Sequence, residues 1–211
     1  MFLAQSADWG VMTDRCPDLD DGRMQLWADL VERRTGIVIP TERKAFLVAG
    51  LRARMQSTGA VDFDGYFRRL ETENAGSEEW TQLVDRLTVH ETAFFRHTPS
   101  LQLLSEQVLP GLLAARNNLQ IWSVGCATGE EPYTLAMLIQ DHPAVNGGEQ
   151  LFGITATDIS QPALRTAREG VYSDRRTQTI PAEMRERFCV QLSDGKWQIV
   201  EQLRRRICFA Q

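Results

Sequence analysis

The residues best suited to chemistry lie in three stretches, and the most informative is Gly125-Cys126-Ala127-Thr128-Gly129-Glu130-Glu131-Pro132. An apolar, β-rich run from Leu119 to Val124 precedes it, and a helix is predicted to begin at Glu131-Pro132, where proline's missing N–H costs nothing. A strand, a glycine turn and a helix N-terminus therefore follow in order. Gly125 and Gly129 carry no Cβ, so a bound molecule can approach the backbone closely. No Lys-Ser/Thr pair follows Gly129, which excludes a phosphate-cradling loop, and Gly-x-x-x-Gly is not the dinucleotide spacing. Glu130 and Glu131 stand where a pyrophosphate would need N–H groups without competing negative charge, so a cationic ligand is favoured over a phosphate.

A second predicted strand, Leu151 to Thr157, ends in Asp158, the position at which acidic side chains take ribose hydroxyls in doubly wound folds. A ribose together with a cationic centre points to S-adenosylmethionine. Each feature also has a plain structural reading. The glycine loop can be a tight turn that lets a helix pack on a sheet, and Asp158 can simply lead to an N-cap at Ser160 ahead of Pro162 and a helix over 163–169. The third stretch, Thr88 to Arg96, reads as helical, with Thr92 and Arg96 four apart on one face and Phe94 and Phe95 packing elsewhere. Taken alone, Thr92 and the phenylalanines could equally be core and Arg96 a surface cation.

The elements that must position these residues follow from periodicity. Residues 1–21 read as a flexible N-terminal tail. Met24, Trp27, Leu30 and Val31 fall at helical spacing up to Gly36; Leu47, Val48, Leu51 and Met55 mark a second helix over 41–55. Phe63, Tyr66, Phe67 and Leu70 form a third stripe, and Trp80, Leu83, Val84 and Leu87 a fourth with Ser77 as N-cap. No strand pattern precedes residue 118. Thr98-Pro99 opens a further helix that Pro110-Gly111 ends or kinks. From Leu119 onward the alternation of strand and helix predicts a parallel sheet. Lys196–Val200 and Arg205–Phe209 read as two short strands, with Arg204-Arg205-Arg206 on a solvated strand face.

At 211 residues the chain is long enough for a substantial core, and its net charge of −5 argues against a nucleic-acid partner. Four cysteines without a CxxC pair, and histidines 90, 97 and 142 without ligand spacing, indicate neither a disulfide framework nor a metal site. No apolar run approaches the ~20 residues of a membrane span, and the apolar start Met1-Phe2-Leu3-Ala4 carries no basic n-region and is soon interrupted by Asp8 and Asp14, so it does not read as a signal peptide. These features predict a cytoplasmic protein.

Three motifs resemble those of the chemotaxis receptor methyltransferases, the CheR family, over about residues 22–211. Thr88-Val89-His90-Glu91-Thr92-Ala93-Phe94-Phe95-Arg96 is similar to the family's Asn/His-x-Thr-x-Phe-Phe-Arg segment, although asparagine is commoner where His90 stands. Trp122 to Tyr133 resembles its cofactor loop, and Thr157-Asp158-Ile159-Ser160 with Gly170-Val171-Tyr172 its ribose strand and the turn that follows. The resemblance implies an α plus α/β chain: a helical domain over 22–91, then a class I S-adenosylmethionine-dependent methyltransferase domain over 92–211 with a small β subdomain near 175–205. The family's later asparagine-containing segments would fall beyond Gln211, so the sequence reads as a truncated enzyme with an incomplete sheet.

Carried over by position, the resemblance implies a cofactor site of His90, Thr92, Arg96, Gly125, Glu130, Glu131 and Asp158, with Arg96 catalytic and no metal. The implied reaction transfers methyl groups from S-adenosylmethionine to glutamate side chains of transmembrane chemoreceptors, leaving S-adenosylhomocysteine, with the protein acting as a monomer and without entering the membrane. Such a reaction needs little proton chemistry, because the acceptor carboxylate is already ionised. Alignment and removal of water then matter most, and an arginine can orient the carboxylate through paired hydrogen bonds. The basic flanks of the second helix, Arg43, Lys44, Arg52 and Arg54, would face the glutamate-rich receptor helices or else be a solvated surface. The competing reading is an inactive binding or scaffolding module that keeps the helical domain and a partial cofactor pocket; an unrelated small-molecule methyltransferase is disfavoured by the helical domain ahead of the fold.

Overall fold

The computed structural model describes residues 19–74, 77–115, 118–146 and 151–211. The expected tail lies outside these residues except at its end, where the expectation is corrected: Leu19 is buried and the Asp20 carboxylate caps helix α1 (Asp21–Thr35), accepting the Arg23 N–H at 2.8 Å. The chain divides into two compact units between Leu87 and Thr88, a few residues before the expected 91/92 boundary.

The first unit is all helical among its described residues. After α1, which stops at Gly36 with φ 75°, a 3-10 turn (Thr41–Arg43) leads into α2 (Lys44–Thr58), then α3 (Phe63–Thr72) and α4 (Glu78–Leu87). The four predicted stripes form one core around Trp27, Leu51, Tyr66, Trp80 and Leu83, with Trp27 packed edge-on against Phe67. Ser77 caps α4 by accepting the Trp80 N–H at 3.3 Å.

Arg54 departs from its expected surface role. Its guanidinium grips the buried Glu79 carboxylate through Nε at 3.1 Å and Nη2 at 2.7 Å, and the Tyr66 hydroxyl donates to the same carboxylate at 2.5 Å. Burial and the adjacent Glu79 push the Tyr66 hydroxyl far above its ordinary value, so it stays a donor. Arg54 is thus an internal cation, and the α2 patch loses one of its four members. Lys44 pairs with Asp21 at 3.0 Å, and Arg43 lies over the Phe46 ring.

In the second unit, residues 88–97 are not helical, contrary to the spacing argument. They form an irregular segment and a turn in which Phe95 takes φ +53°. A helical run then follows: α5 (Thr98–Leu103), a π-helical turn (Leu104–Val108) and α6 (Leu109–Ala115). Pro110 explains the widened turn. Its nitrogen cannot donate, and the preceding Leu109 N–H reaches back five residues to the Leu104 carbonyl.

The main sheet is parallel, in the order β1 (Asn118–Val124), β2 (Leu151–Thr157), β6 (Ile207–Ala210). Helices α7 (Glu130–Asp141) and α8 (Pro143–Asn146) connect β1 to β2, and α9 (Gln161–Glu169), capped by Ser160, follows β2. Leu119, Ser123, Phe152, Ile154 and Ala156 point into the core with Tyr133, Met137 and Leu164, whereas Trp122 on the alternate face is 68% exposed.

A second, antiparallel sheet has the order β3 (Val171–Tyr172), β5 (Trp197–Ile199), β4 (Cys189–Gln191), with α10 (Asp174–Thr177) and α11 (Ala182–Phe188) between β3 and β4. Its strands therefore span 171–199, not 175–205. Arg204 ends the helical turn α12 (Glu201–Arg204), and Arg205 and Arg206 follow in the turn before β6. The expected solvated strand face is incorrect: Arg204 donates to the Ile199 carbonyl and Arg206 lies over the Phe152 ring.

Candidate functional site

A cavity of about 880 Å3 opens at the carboxyl ends of β1 and β2, within the second unit. This is where open parallel sheets bind ligands, and the volume lies in the range of small-molecule sites. Its walls come from three directions: residues 88–97 with the start of α5, the β1–α7 loop, and the turn after β2.

The β1–α7 loop owes its shape to hydrogen bonds from β2. The N–H groups of Gly125 and Cys126 both donate to the Thr157 carbonyl, at 2.8 and 3.0 Å. Ala127 takes φ +46°, unusual for a residue with a Cβ, and its N–H donates to Asp158 Oδ2 at 2.7 Å. Gly125, at φ +74°, lines the cavity, and the place its Cβ would occupy is open space. Gly129, at φ +95°, serves a different need: a Cβ there would meet the Ala167 Cβ at 2.9 Å and the Tyr172 hydroxyl at 3.0 Å.

Asp158 braces the loop and also lines the cavity. Oδ2 accepts from Ala127 and Oδ1 accepts the Ser160 N–H at 2.8 Å, which uses about two of the four lone-pair directions of a carboxylate. Those that remain can accept a vicinal diol. Glu131 lines the same cavity and is steadied by the Ser123 hydroxyl, which donates to Oε1 at 2.7 Å. His90, Thr92 and Arg96 line the same cavity. Arg96 is exposed and donates from Nη1 to the Glu91 carbonyl at 2.7 Å, while Nη2 lies 3.5 Å from the Glu91 carboxylate.

Of the seven residues named from sequence, His90, Thr92, Arg96, Gly125, Glu131 and Asp158 share this one cavity. Glu130 does not. Its side chain is fully buried on the far side of the loop, where Oε2 accepts the Thr128 hydroxyl at 2.7 Å and Oε1 lies 2.9 Å from Arg176 Nη2. Helix α7 turns consecutive glutamates about 100° apart, so only one of the pair can face a ligand. Cys126, in the same loop, is no nucleophile: burial first and the Asp158 charge second push its thiol up to about 12. Among the described residues no group of His, Cys, Asp and Glu could hold a metal ion.

Comparison with known families decides the class. Residues 90–211 match the family model described as "CheR methyltransferase, SAM binding domain", and residues 23–88 match "CheR methyltransferase, all-alpha domain". The chain belongs to the CheR methyltransferase family. Its relatives include a chemotaxis protein methyltransferase of Borreliella burgdorferi, 31% identical over 85% of this chain and 65% of the relative. Chemotaxis protein methyltransferase 2 of Vibrio cholerae is 32% identical, covering 87% of this chain and 64% of the relative. Chemotaxis protein methyltransferase 1 of Pseudomonas aeruginosa is 30% identical, with 88% and 69% covered. The chain thus spans about two thirds of the length of these curated relatives.

Several residues that line this cavity were missed by the sequence reasoning. Phe95 lines the cavity instead of packing away from it, and its N–H donates to the Thr134 hydroxyl at 3.2 Å. Thr134 is buried one helical turn after Glu130, a spacing that could have flagged it. Nothing in the local sequence marks Phe95 as left-handed. Gln211, at the end of β6, also lines the cavity and donates to the Ile159 carbonyl at 3.1 Å.

Proposed function

We propose that this chain binds S-adenosylmethionine in the sheet-edge cavity and carries the methyl-transfer chemistry of a chemoreceptor glutamate methyltransferase, acting in the cytoplasm as a monomer. The observation that carries this reading is the meeting of the β1–α7 loop, the Thr92–Arg96 segment and Asp158 around one cavity. The residues present fit the cofactor: Asp158 keeps lone pairs for the two ribose hydroxyls, Gly125 leaves the loop bare, and Glu131 offers a braced carboxylate to the cationic amino-acid end. When bound, the cofactor supplies an electrophilic methyl group.

The chain's own residues then have separate tasks. His90 and Thr92 line the same cavity as Asp158 and Glu131 and would contribute to its walls around the ligand. Arg96 is the residue for the acceptor. Its guanidinium already lies beside a glutamate carboxylate, that of Glu91, and by exchanging this weak exposed contact for an incoming glutamate it would orient two oxygens without removing their charge. In the helical unit, Arg43, Lys44 and Arg52 remain as the basic flanks offered to acidic receptor helices.

Two measurements test the proposal on the same sample. Calorimetry should find one S-adenosylhomocysteine bound per chain. Tritiated S-adenosylmethionine with a chemoreceptor cytoplasmic fragment should then give base-labile label on glutamate. Binding without transfer would make this chain a binding module, and absence of binding would overturn the reading of the site.

A further inference from the structure

Behind the cofactor loop stands a group of side chains that the ligand would not touch. Tyr172, on β3 of the small sheet, is buried; its hydroxyl donates to the Thr128 carbonyl at 2.6 Å, and its ring packs edge-on against Phe94 at 4.9 Å. The same side chain therefore supports both walls of the cavity: the loop through Thr128, and the Phe94-Phe95-Arg96 turn through Phe94. Four residues later Arg176, on α10, donates from Nη2 to the Thr128 hydroxyl at 3.0 Å and pairs with the buried Glu130 carboxylate. The Thr128 hydroxyl in turn donates a hydrogen bond to Glu130 Oε2, so hydroxyl, carboxylate and guanidinium form a closed triangle.

Two features make this more than ordinary packing. The loop holds Ala127, a residue with a Cβ, in left-handed backbone, a conformation that persists only where surrounding contacts over-determine it. Asp158 and Thr157 fix one end of it, and Tyr172 and Arg176 the other. Second, Glu130 is wholly buried, and the Arg176 guanidinium lies off the hydrogen-bonding line of its Oε1, leaving that oxygen with a charge partner and no hydrogen bond. A buried carboxylate with one cation is sensitive to that cation's position. Glu130 and Glu131 are adjacent at the start of α7, so a displacement of the first turns the second relative to the cavity.

We propose that Arg176 is a positioning residue that, through Glu130 and Thr128, sets the cofactor loop and makes cofactor affinity depend on the small antiparallel sheet. This rests on the reading of the cavity as an S-adenosylmethionine site. Anything that shifts β3 or α10 is then felt at Gly125 to Glu131, although neither element lines the cavity.

The test uses the 211-residue chain and its variants Arg176→Met, Arg176→Lys and Glu130→Gln, with two readouts: calorimetric affinity for S-adenosylhomocysteine, and amide hydrogen exchange of residues 125–131 in the ligand-free protein. Arg176→Met should weaken binding roughly tenfold or more and speed exchange in the loop, in a sample whose circular dichroism is unchanged. Arg176→Lys should recover part of both, and the Arg176→Met and Glu130→Gln effects on affinity should fall short of additivity, because the two residues act through one contact. If Arg176→Met does not fold, Arg176→Met/Glu130→Gln removes the stranded charge and is read in the same way. A folded variant with wild-type affinity and wild-type loop exchange overturns the proposal. Wild-type chain that takes up no S-adenosylhomocysteine overturns the cofactor reading and with it the affinity claim, while faster exchange in Arg176→Met would still establish the positioning contact.

Discussion

Replacing Asp158 by asparagine separates its two tasks, because the side chain keeps its shape and loses its charge. In the native chain both carboxylate oxygens accept backbone N–H groups, Ala127 at 2.7 Å and Ser160 at 2.8 Å. Asparagine has one carbonyl oxygen and one NH2 group, so one of those N–H groups must face another donor. An orphaned donor of this kind costs about 1–3 kcal/mol, and where it is Ala127 the left-handed loop also loses its anchor. The bound ribose would lose hydrogen bonds to a charged acceptor, worth about 1.5–3 kcal/mol, which corresponds to roughly 10- to 150-fold in affinity. Calorimetric titration of Asp158→Asn with S-adenosylhomocysteine should show this weakening, and ligand-induced thermal stabilisation should shrink in step. A folded Asp158→Asn chain that binds within about twofold of wild type would refute the assignment of Asp158 to the ribose, since a factor of two is only about 0.4 kcal/mol.

Three further outcomes follow from the packing. Arg54→Met leaves the Glu79 carboxylate buried with only the Tyr66 hydroxyl, and should destabilise the helical unit by about 3–5 kcal/mol in urea unfolding, whereas Arg54→Met/Glu79→Gln should recover much of the loss; a change below about 1 kcal/mol in the single variant would contradict a buried pair. Gly129→Ala forces a Cβ onto Ala167 and the Tyr172 hydroxyl at φ +95°, and should cost at least about 2 kcal/mol of stability together with cofactor binding; wild-type thermal stability would show that the loop can yield. Burial raises the Cys126 thiol to about 12 and the Cys189 thiol to about 11, against the ordinary 9.0, so above pH 9 the unfolded chain sheds protons that the folded chain retains. Stability contributed below pH 9 should therefore fall as pH rises toward 11, by up to about 1.4 kcal/mol per pH unit for each thiol, and a denaturation midpoint that stays flat over that window would contradict it.

The helical unit was legible because each helix carries a stripe of large apolar residues at regular spacing, reinforced in α4 by a capping side chain, with Trp80, Leu83, Val84 and Leu87 behind Ser77. The β1–loop–α7 and β2–Asp158 stretches were legible for a related reason: glycines, an early proline and a carboxylate at strand ends are local signals. What failed depended on distant partners. Arg54 looks like a surface cation until Glu79, 25 residues away, is brought against it. Glu130 and Glu131 are adjacent and alike in sequence, and the cation that pairs with the inward one, Arg176, lies 46 positions further on. Residues 88–97 have helical spacing but bend at Phe95, because Phe94 is drawn into the core beside Tyr172 while the Phe95 N–H goes to Thr134. The last strand was expected over 205–209 and is found over 207–210, but its assignment to the main sheet required pairing with β2.

The central claim is that one cavity holds the nucleoside between Asp158, Glu131 and the Thr92–Arg96 turn. A crystal structure of the chain grown with S-adenosylhomocysteine tests it most directly. The account predicts the ribose hydroxyls on the Asp158 carboxylate, the amino-acid end beside Glu131, and the Arg96 guanidinium free of Glu91 and turned toward the sulfur. Density for the nucleoside at any other surface, or in this cavity with Asp158 and Glu131 both out of contact, would contradict it.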